Sequence, residues 1–243
     1  MSLALSVLRH LRRRINSLRG EDVMLSLDVS LPDLETLGAF GADWTFWKKG
    51  IRNGMRVFTG GVGTDCSFEI ALAKQVSFDW AAYDPTPAVA DWVEEHRVSL
   101  PACHFEPVGL WEEESSMAFA PPKNPNHISH TVCVSSTDGS PQGIEVPLKP
   151  IDTLCAERGW NHVDLLKLDI EGAEYKAIPP LLRSSITIDQ LLVEVHHGMY
   201  GFRGSDTARL AAQMREAGYC LAHVSEIGRE QTWIHQRLLD QHA

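Results

Sequence analysis

Basic side chains are scarce in this chain: 22 Lys and Arg stand against 32 Asp and Glu, a formal net charge of −10. Binding to nucleic acid rests largely on cations meeting phosphates, so DNA and RNA are excluded as expected partners. There is no Cys-x-x-Cys pair. The five cysteines, Cys66, Cys103, Cys133, Cys155 and Cys220, are odd in number and widely scattered, which argues against a disulfide framework and for a reduced, cytoplasmic compartment. No run approaches the ~20 apolar residues that span a bilayer. The short apolar start, Leu3 to Leu8, precedes its arginines, the reverse of a signal peptide. Repeats and low-complexity segments are absent. What remains is 243 residues with 44% apolar content, enough for one sizeable core.

The stretch Met55-Arg-Val-Phe-Thr-Gly-Gly-Val-Gly-Thr-Asp-Cys-Ser-Phe-Glu69 organises that core. An apolar strand runs into glycines and then into a helical pattern. Gly61 and Gly63 let backbone come close to a ligand, and the unpaired N–H groups of the following helix favour polar or anionic groups there. A nucleotide-like cofactor fits that corner, although a lone Gly-x-Gly is also plain turn punctuation. The next strand, from Trp80, stops at Asp84. That carboxylate stands about twenty residues beyond the glycines, the spacing at which an acid accepts hydrogen bonds from ribose hydroxyls. Thr86 is expected to cap the following helix, with Pro87 at its first position and Val89, Trp92, Val93 and His96 on its buried face.

Ahead of the turn, Leu5, Leu8, Leu11, Ile15 and Leu18 recur at helical spacing among five arginines. Such a helix lies on an anionic membrane surface, binds a partner or caps its own domain. The expected division is an N-terminal helix and linker over 1–36 and a catalytic domain over 37–243. Trp44, Phe46 and Trp47 read as core in a loop-rich stretch. Past Asp84, Cys103 to Leu110 reads as a third strand, and 111–126 as an excursion loop or hairpin continuing into a strand-like 127–134 with His127 and His130. A short strand from Ile144 and a helix over 151–158 follow.

Two later strands carry the chemistry. Val163-Asp-Leu-Leu-Lys-Leu168 is apolar enough for a central, doubly covered parallel strand, so Lys167 within it requires a carboxylate partner. Asp169, Glu171 and Glu174 leave its carboxyl end around Gly172, where ligands bind in open α/β sheets. Ile188 to His197 repeats the layout and ends in Glu194, His196 and His197, with Glu194 and His196 on one face. If the two strands are neighbours, Asp169, Glu171, Glu194 and His196 converge beside the glycine turn. A helix over 206–218 and strand-like segments over 219–227 and 232–238 suit the terminal hairpin of an α/β sheet with an N-terminal helical extension.

Over about residues 37–236 the chain resembles the FkbM-type methyltransferases, which use S-adenosylmethionine (SAM). The resemblance is carried by Val57 to Glu69, Tyr83-Asp-Pro-Thr-Pro87, Asp164-Leu-Leu-Lys-Leu-Asp-Ile-Glu-Gly-Ala-Glu174 and Leu192-Val-Glu-Val-His196. Thr59-Gly60-Gly61 departs from the family's usual Phe-Gly-x-Gly wording. The resemblance implies a doubly wound, seven-stranded, mostly parallel sheet of the Rossmann-like class I fold, and transfer of a methyl group to a hydroxyl of a sugar, glycan or natural product. It also implies SAM held by Gly61, Gly63 and Asp84, with Val62, Pro85 and Asp169 as further cofactor-binding candidates. A hydroxyl is a weak nucleophile, so a base is expected, and His196 is the candidate, oriented by Glu194 or Asp169. No metal is assigned, although the same Asp, Glu and His set suits a divalent ion. Two rivals remain: a non-catalytic SAM-fold binding module, and an NAD(P) oxidoreductase, which Cys66 disfavours by standing where the dinucleotide fingerprint wants its third glycine.

Overall fold

The computed structural model describes residues 12–120, 131–132 and 144–243. Residues 3–11 of the amphipathic helix expected over 3–19, and the histidines His127 and His130, lie outside the described residues. In chain order come helix α1 (12–18) and strands β1 (Leu34–Leu37), β2 (Trp44–Trp47) and β3 (Met55–Gly60). Then follow α2 (Ser67–Ala73), β4 (Phe78–Tyr83), α3 (Pro87–His96), β5 (Cys103–Glu106), β6 (Gly109–Leu110), β7 (Ser115–Ala120), β8 (Thr131–Val132) and β9 (Ile144–Lys149). The chain continues through α4 (Ile151–Glu157), β10 (His162–Leu168), α5 (Glu174–Arg183), β11 (Thr187–Glu194), α6 (Gly204–Glu216), β12 (Tyr219–Val224), β13 (Glu230–His235) and α7 (Gln236–Gln241).

Seven strands form the central sheet in the order β12-β13-β11-β10-β3-β4-β5. Only β13 runs against its neighbours. Because strand side chains alternate, the continuous apolar runs feed two cores. Phe58, Leu166 and Leu191 point to the face covered by α4, α5 and α6. Val57, Leu165 and Leu192 point to the other, where Phe68, Leu72, Val89 and Val93 cover them. Fully burying each such side chain contributes about 1.5–3 kcal/mol. Strand order reverses between β3 and β10, and that switch opens a crevice at the strands' carboxyl ends.

Several expectations change in the fold. The stretch around Trp44 is a hairpin, β1 with β2, whose Trp44, Phe46 and Trp47 are buried as expected. It begins at Leu34, ahead of the boundary drawn at residue 37. Cys103 to Leu110 is two strands, because Pro107 cannot donate to a ladder; β5 ends the main sheet, while β6 joins a second sheet ordered β6-β9-β7-β8. His96 is exposed and stacks on Trp92 at 4.5 Å. Thr86 gives no side-chain cap to α3; its N–H instead donates to Asp84 Oδ1 at 2.9 Å. The last strand stops at His235, whose Nδ1 accepts from Arg237 N at 3.1 Å and caps α7. Gln-Arg-Leu-Leu-Asp-Gln is made of good helix formers and has no β-branched residue to hold it extended.

Residues ahead of β1 are tied to the far end of the chain. Asp28 N donates to Leu221 O at 2.9 Å, and Asp28 Oδ2 accepts from Leu221 N at 2.8 Å and from Arg215 Nε at 3.0 Å. Among the described residues no helix is long and apolar enough to cross a membrane.

Candidate active site

The glycine turn is stitched to the ends of both neighbouring strands. Gly61 N donates to Tyr83 O at 2.8 Å, and Asp169 N donates to Gly60 O at 2.9 Å. Val62 N and Gly63 N both donate to Asp84 Oδ2 at 3.0 Å. Asp84 is therefore first a staple for the turn, and Oδ1, with a single backbone donor, keeps a lone pair for a ligand hydroxyl. Gly61 has φ 78°, and a Cβ there would lie 1.7 Å from the Asp169 carbonyl oxygen. Only glycine lets β3 and β10 come that close.

Above this turn lies a cavity of about 660 Å³, within the usual range for small-molecule sites. Gly61, Val62, Gly63, Asp84, Pro85 and Asp169 all line it, as do Glu171 and Glu194. Its far wall is the β1–β2 turn with Phe40, Trp44 and Thr45, and its rim includes His223 and Glu230 from the last hairpin. The sequence reading places Trp44 in the core, where it also lies, and foresees neither its cavity face nor the rim, because both segments reach the crevice only through tertiary packing.

In the floor, Lys167 Nζ donates to Glu69 Oε1 at 2.9 Å, the carboxylate partner that a lysine inside a buried strand requires. Glu69 Oε1 also accepts from Thr59 Oγ1 at 3.0 Å, and Thr59 Oγ1 accepts from Trp80 Nε1 at 3.0 Å. Burial opposes the Lys167 charge, but the Glu69 carboxylate outweighs it and holds the ammonium pKa above its ordinary value.

His196 does not line the cavity; it lies just under it, 2% exposed. Its backbone N–H and its Nδ1 both reach Glu174 Oε1, at 2.8 and 3.1 Å, and Glu174 Oε2 accepts from Gly172 N at 2.8 Å. Glu174, fully buried, is thus the residue that aims the ring. His196 Nε2 then faces Glu171 Oε2 at 3.5 Å, Asp169 Oδ1 at 3.7 Å and Glu194 Oε1 at 3.9 Å. Asp169, Glu171 and His196 place donor atoms within 4.8 Å of one another, a spacing also able to hold a metal ion. Glu171 has φ 53°, a left-handed turn that an acidic residue adopts at some cost, and it accepts a hydrogen bond from Tyr200 Oη.

Electrostatics divide the roles. Burial works against an imidazolium at His196, but the Glu174 hydrogen bond and the charges of Glu174, Glu194 and Asp169 raise its pKa to about 9. Burial raises Asp169 to about 6, opposed by the His196 charge. Burial, and then the charge of Asp169, raise Glu194 to about 8. The cluster therefore favours a charged ring at His196 and makes Asp169 more basic than an ordinary aspartate.

Residues 71–221 match the model of the methyltransferase FkbM domain. The chain belongs to the FkbM methyltransferase family. A search of the curated proteins finds no significant match. Among solved structures, one titled "Structure of the citrinin polyketide synthase CMeT domain" is similar at 11% identity and a TM-score of 0.40 over 75% of this chain. The FkbM-family chain spans about half of that structure, 47% of its length. The family match begins inside α2, so the glycine turn and the hairpin wall precede it, whereas Asp84, Asp169, Glu171, Glu174, Glu194 and His196 fall within it.

Proposed function

We propose that the chain is a SAM-dependent O-methyltransferase acting on a hydroxyl of a sugar, glycan or natural product. One observation carries the cofactor: the cavity has eight carboxylate side chains against a single ammonium, Lys167, and no arginine among its described residues. SAM bears a sulfonium, an ammonium and one carboxylate, which suits that balance. The two phosphates of NAD(P) do not, and this disfavours the oxidoreductase alternative. Gly61 and Gly63 supply the close backbone approach, and Asp84 Oδ1 the acceptor for a ribose hydroxyl.

SAM supplies an electrophilic methyl group on sulfur. The chain's own residues supply the proton chemistry and the alignment. Asp169, at the cavity wall, accepts the hydroxyl proton as the oxygen attacks. His196, charged and clamped by Glu174, stands behind Asp169 and keeps it ionised. The role of general base expected for His196 thus passes to Asp169, and His196 becomes a positioning residue. Glu194, protonated at neutral pH, is able to donate a hydrogen bond to the acceptor. A positioned base contributes about 10²- to 10⁴-fold, with further rate from holding the reacting atoms in line.

Calorimetry with SAM and NADH, followed by transfer of a labelled methyl group to a panel of glycans and hydroxylated natural products, tests this reading. SAM binding with label transfer is the expected result. NADH binding in place of SAM would overturn it, and SAM binding without transfer to any acceptor would favour the binding-module alternative.

A further inference from the structure

A second cavity, of about 830 Å³, adjoins the first. The Tyr200–Glu171 hydrogen bond lies on the boundary: Tyr200 lines the second cavity, Glu171 the first, and Ile227 lines both. The charge of its walls has the opposite sign. Arg12 from α1, Arg203 from the start of α6 and Arg229 from the β12–β13 turn converge on it together with Arg13.

Arg13 is committed to structure. Its Nε donates to Asp22 Oδ2 at 3.2 Å and its Nη2 to Val23 O at 2.9 Å. Asp22 is in turn held by His197 Nε2 at 3.1 Å, so this acid is neutralised from within the fold. Arg12, Arg203 and Arg229 form no ion pair with any described residue, and Glu21 is the one acid left among the described residues of this wall. Three guanidinium groups with no ion-pair partner among the described residues, around one cavity, are unexpected in a chain of net charge −10. Like charges held together repel, so their gathering costs stability unless an anion joins them. Guanidinium groups match phosphate oxygens in shape as well as charge, and three of them suit a dianion better than a single carboxylate.

We infer that the second cavity binds a phosphate group of the acceptor, whose hydroxyl then reaches past Tyr200 to Asp169; the substrate class is a phosphorylated hydroxy compound. The identity of the cavity's ligand stands on the arginines alone, while its role as an acceptor subsite rests on the methyltransferase reading. The arrangement assigns a positively charged donor to the acidic cavity and a negatively charged acceptor to the basic one.

Inorganic pyrophosphate is the probe, titrated calorimetrically into the full chain at low salt with and without saturating S-adenosylhomocysteine. Expected is one site that the adenosyl ligand does not displace and that weakens as salt rises. Arg203→Ala/Arg229→Ala should weaken it about tenfold or more, the loss of at least one charge-assisted hydrogen bond. Arg97→Ala, on the exposed end of α3, should leave it unchanged, and SAM affinity should be the same in all three proteins. Circular dichroism confirms that the variants fold. A wild-type chain that binds SAM but not pyrophosphate overturns the inference, as does binding that survives the double substitution, competes with the adenosyl ligand, or is matched by malonate. Failure of SAM itself to bind would instead sink the methyltransferase reading, and the pyrophosphate titration would still decide the cavity.

Discussion

Lys167 Nζ and Glu69 Oε1 meet at 2.9 Å in the floor of the crevice, with both side chains almost wholly buried. Glu69 Oε2 has no hydrogen-bond partner among the described residues, so the pair depends on its one shared contact. Lys167→Met strands a buried carboxylate and should cost about 3–5 kcal/mol, whereas Glu69→Leu/Lys167→Met, which removes both charges, should cost markedly less. Urea denaturation of the two variants checks this ordering; equal losses would mean that packing, not charge, sets the penalty.

Gly61 and Gly63 should separate folding from binding. Gly61→Ala drives a methyl group into the Asp169 backbone and should lower the melting temperature sharply. Gly63→Ala has φ 59° and meets nothing within 4 Å, so it should cost only about 1–2 kcal/mol of left-handed strain while weakening SAM at the cavity's edge. Thermal melts with and without SAM distinguish the two.

The acid cluster predicts a pH profile. Asp169 must be ionised and Glu194 protonated, so kcat/KM should rise through about pH 6 and fall through about pH 8. Asp169→Asn should lower turnover by about 10²- to 10⁴-fold with SAM affinity retained. His196→Asn removes the charge that lowers the Asp169 pKa and should therefore move the acid limb to higher pH. An unshifted limb would return the base role to His196. Asp169, Glu171 and His196 are spaced to hold a metal ion, but a mechanism with Asp169 as base needs none, so EDTA should leave activity intact; sensitivity to it would reassign the three residues as ligands.

At the opposite end of the sheet, His162 Nε2 lies 3.1 Å from Asp189 Oδ2 and 3.6 Å from Asp164 Oδ1. Hydrogen bonds to these two carboxylates raise its pKa to about 9, Asp164 first, against the opposing effect of burial. Its protonated form is favoured in the fold, so this stabilisation is complete below the unfolded value of about 6.5 and is lost as pH climbs through about 9. The stability difference between wild type and His162→Gln should accordingly shrink over that window in denaturation curves. A constant difference would show that the ring acts by packing alone.

The central strands were legible because buried parallel strands must be continuously apolar, and so the polar residues at Asp84, Asp169 and Glu194 announced their carboxyl ends. That β10 and β11 are neighbours brought Asp169, Glu171, Glu194 and His196 together. The direction of His196 was not legible: a histidine after a strand looks the same whether it faces solvent or four carboxylates, and only the buried Glu174 decides. The hairpin around Trp44 hid in four-residue strands too short to show a period. Arg12, Arg203 and Arg229 lie far apart in sequence, and nothing local to any of them signals a shared cavity.

The bond from Leu221 to Asp28 spans 193 residues, and ordering so long a loop is entropically slow relative to local contacts. The segment it secures leads into the hairpin wall of the crevice, and Leu221 lies on the strand that leads to the rim bearing His223. The crevice is therefore completed only when segments from both halves of the chain have met, and capacity to hold an adenosyl ligand should serve as a readout of the finished molecule rather than of any partly folded form.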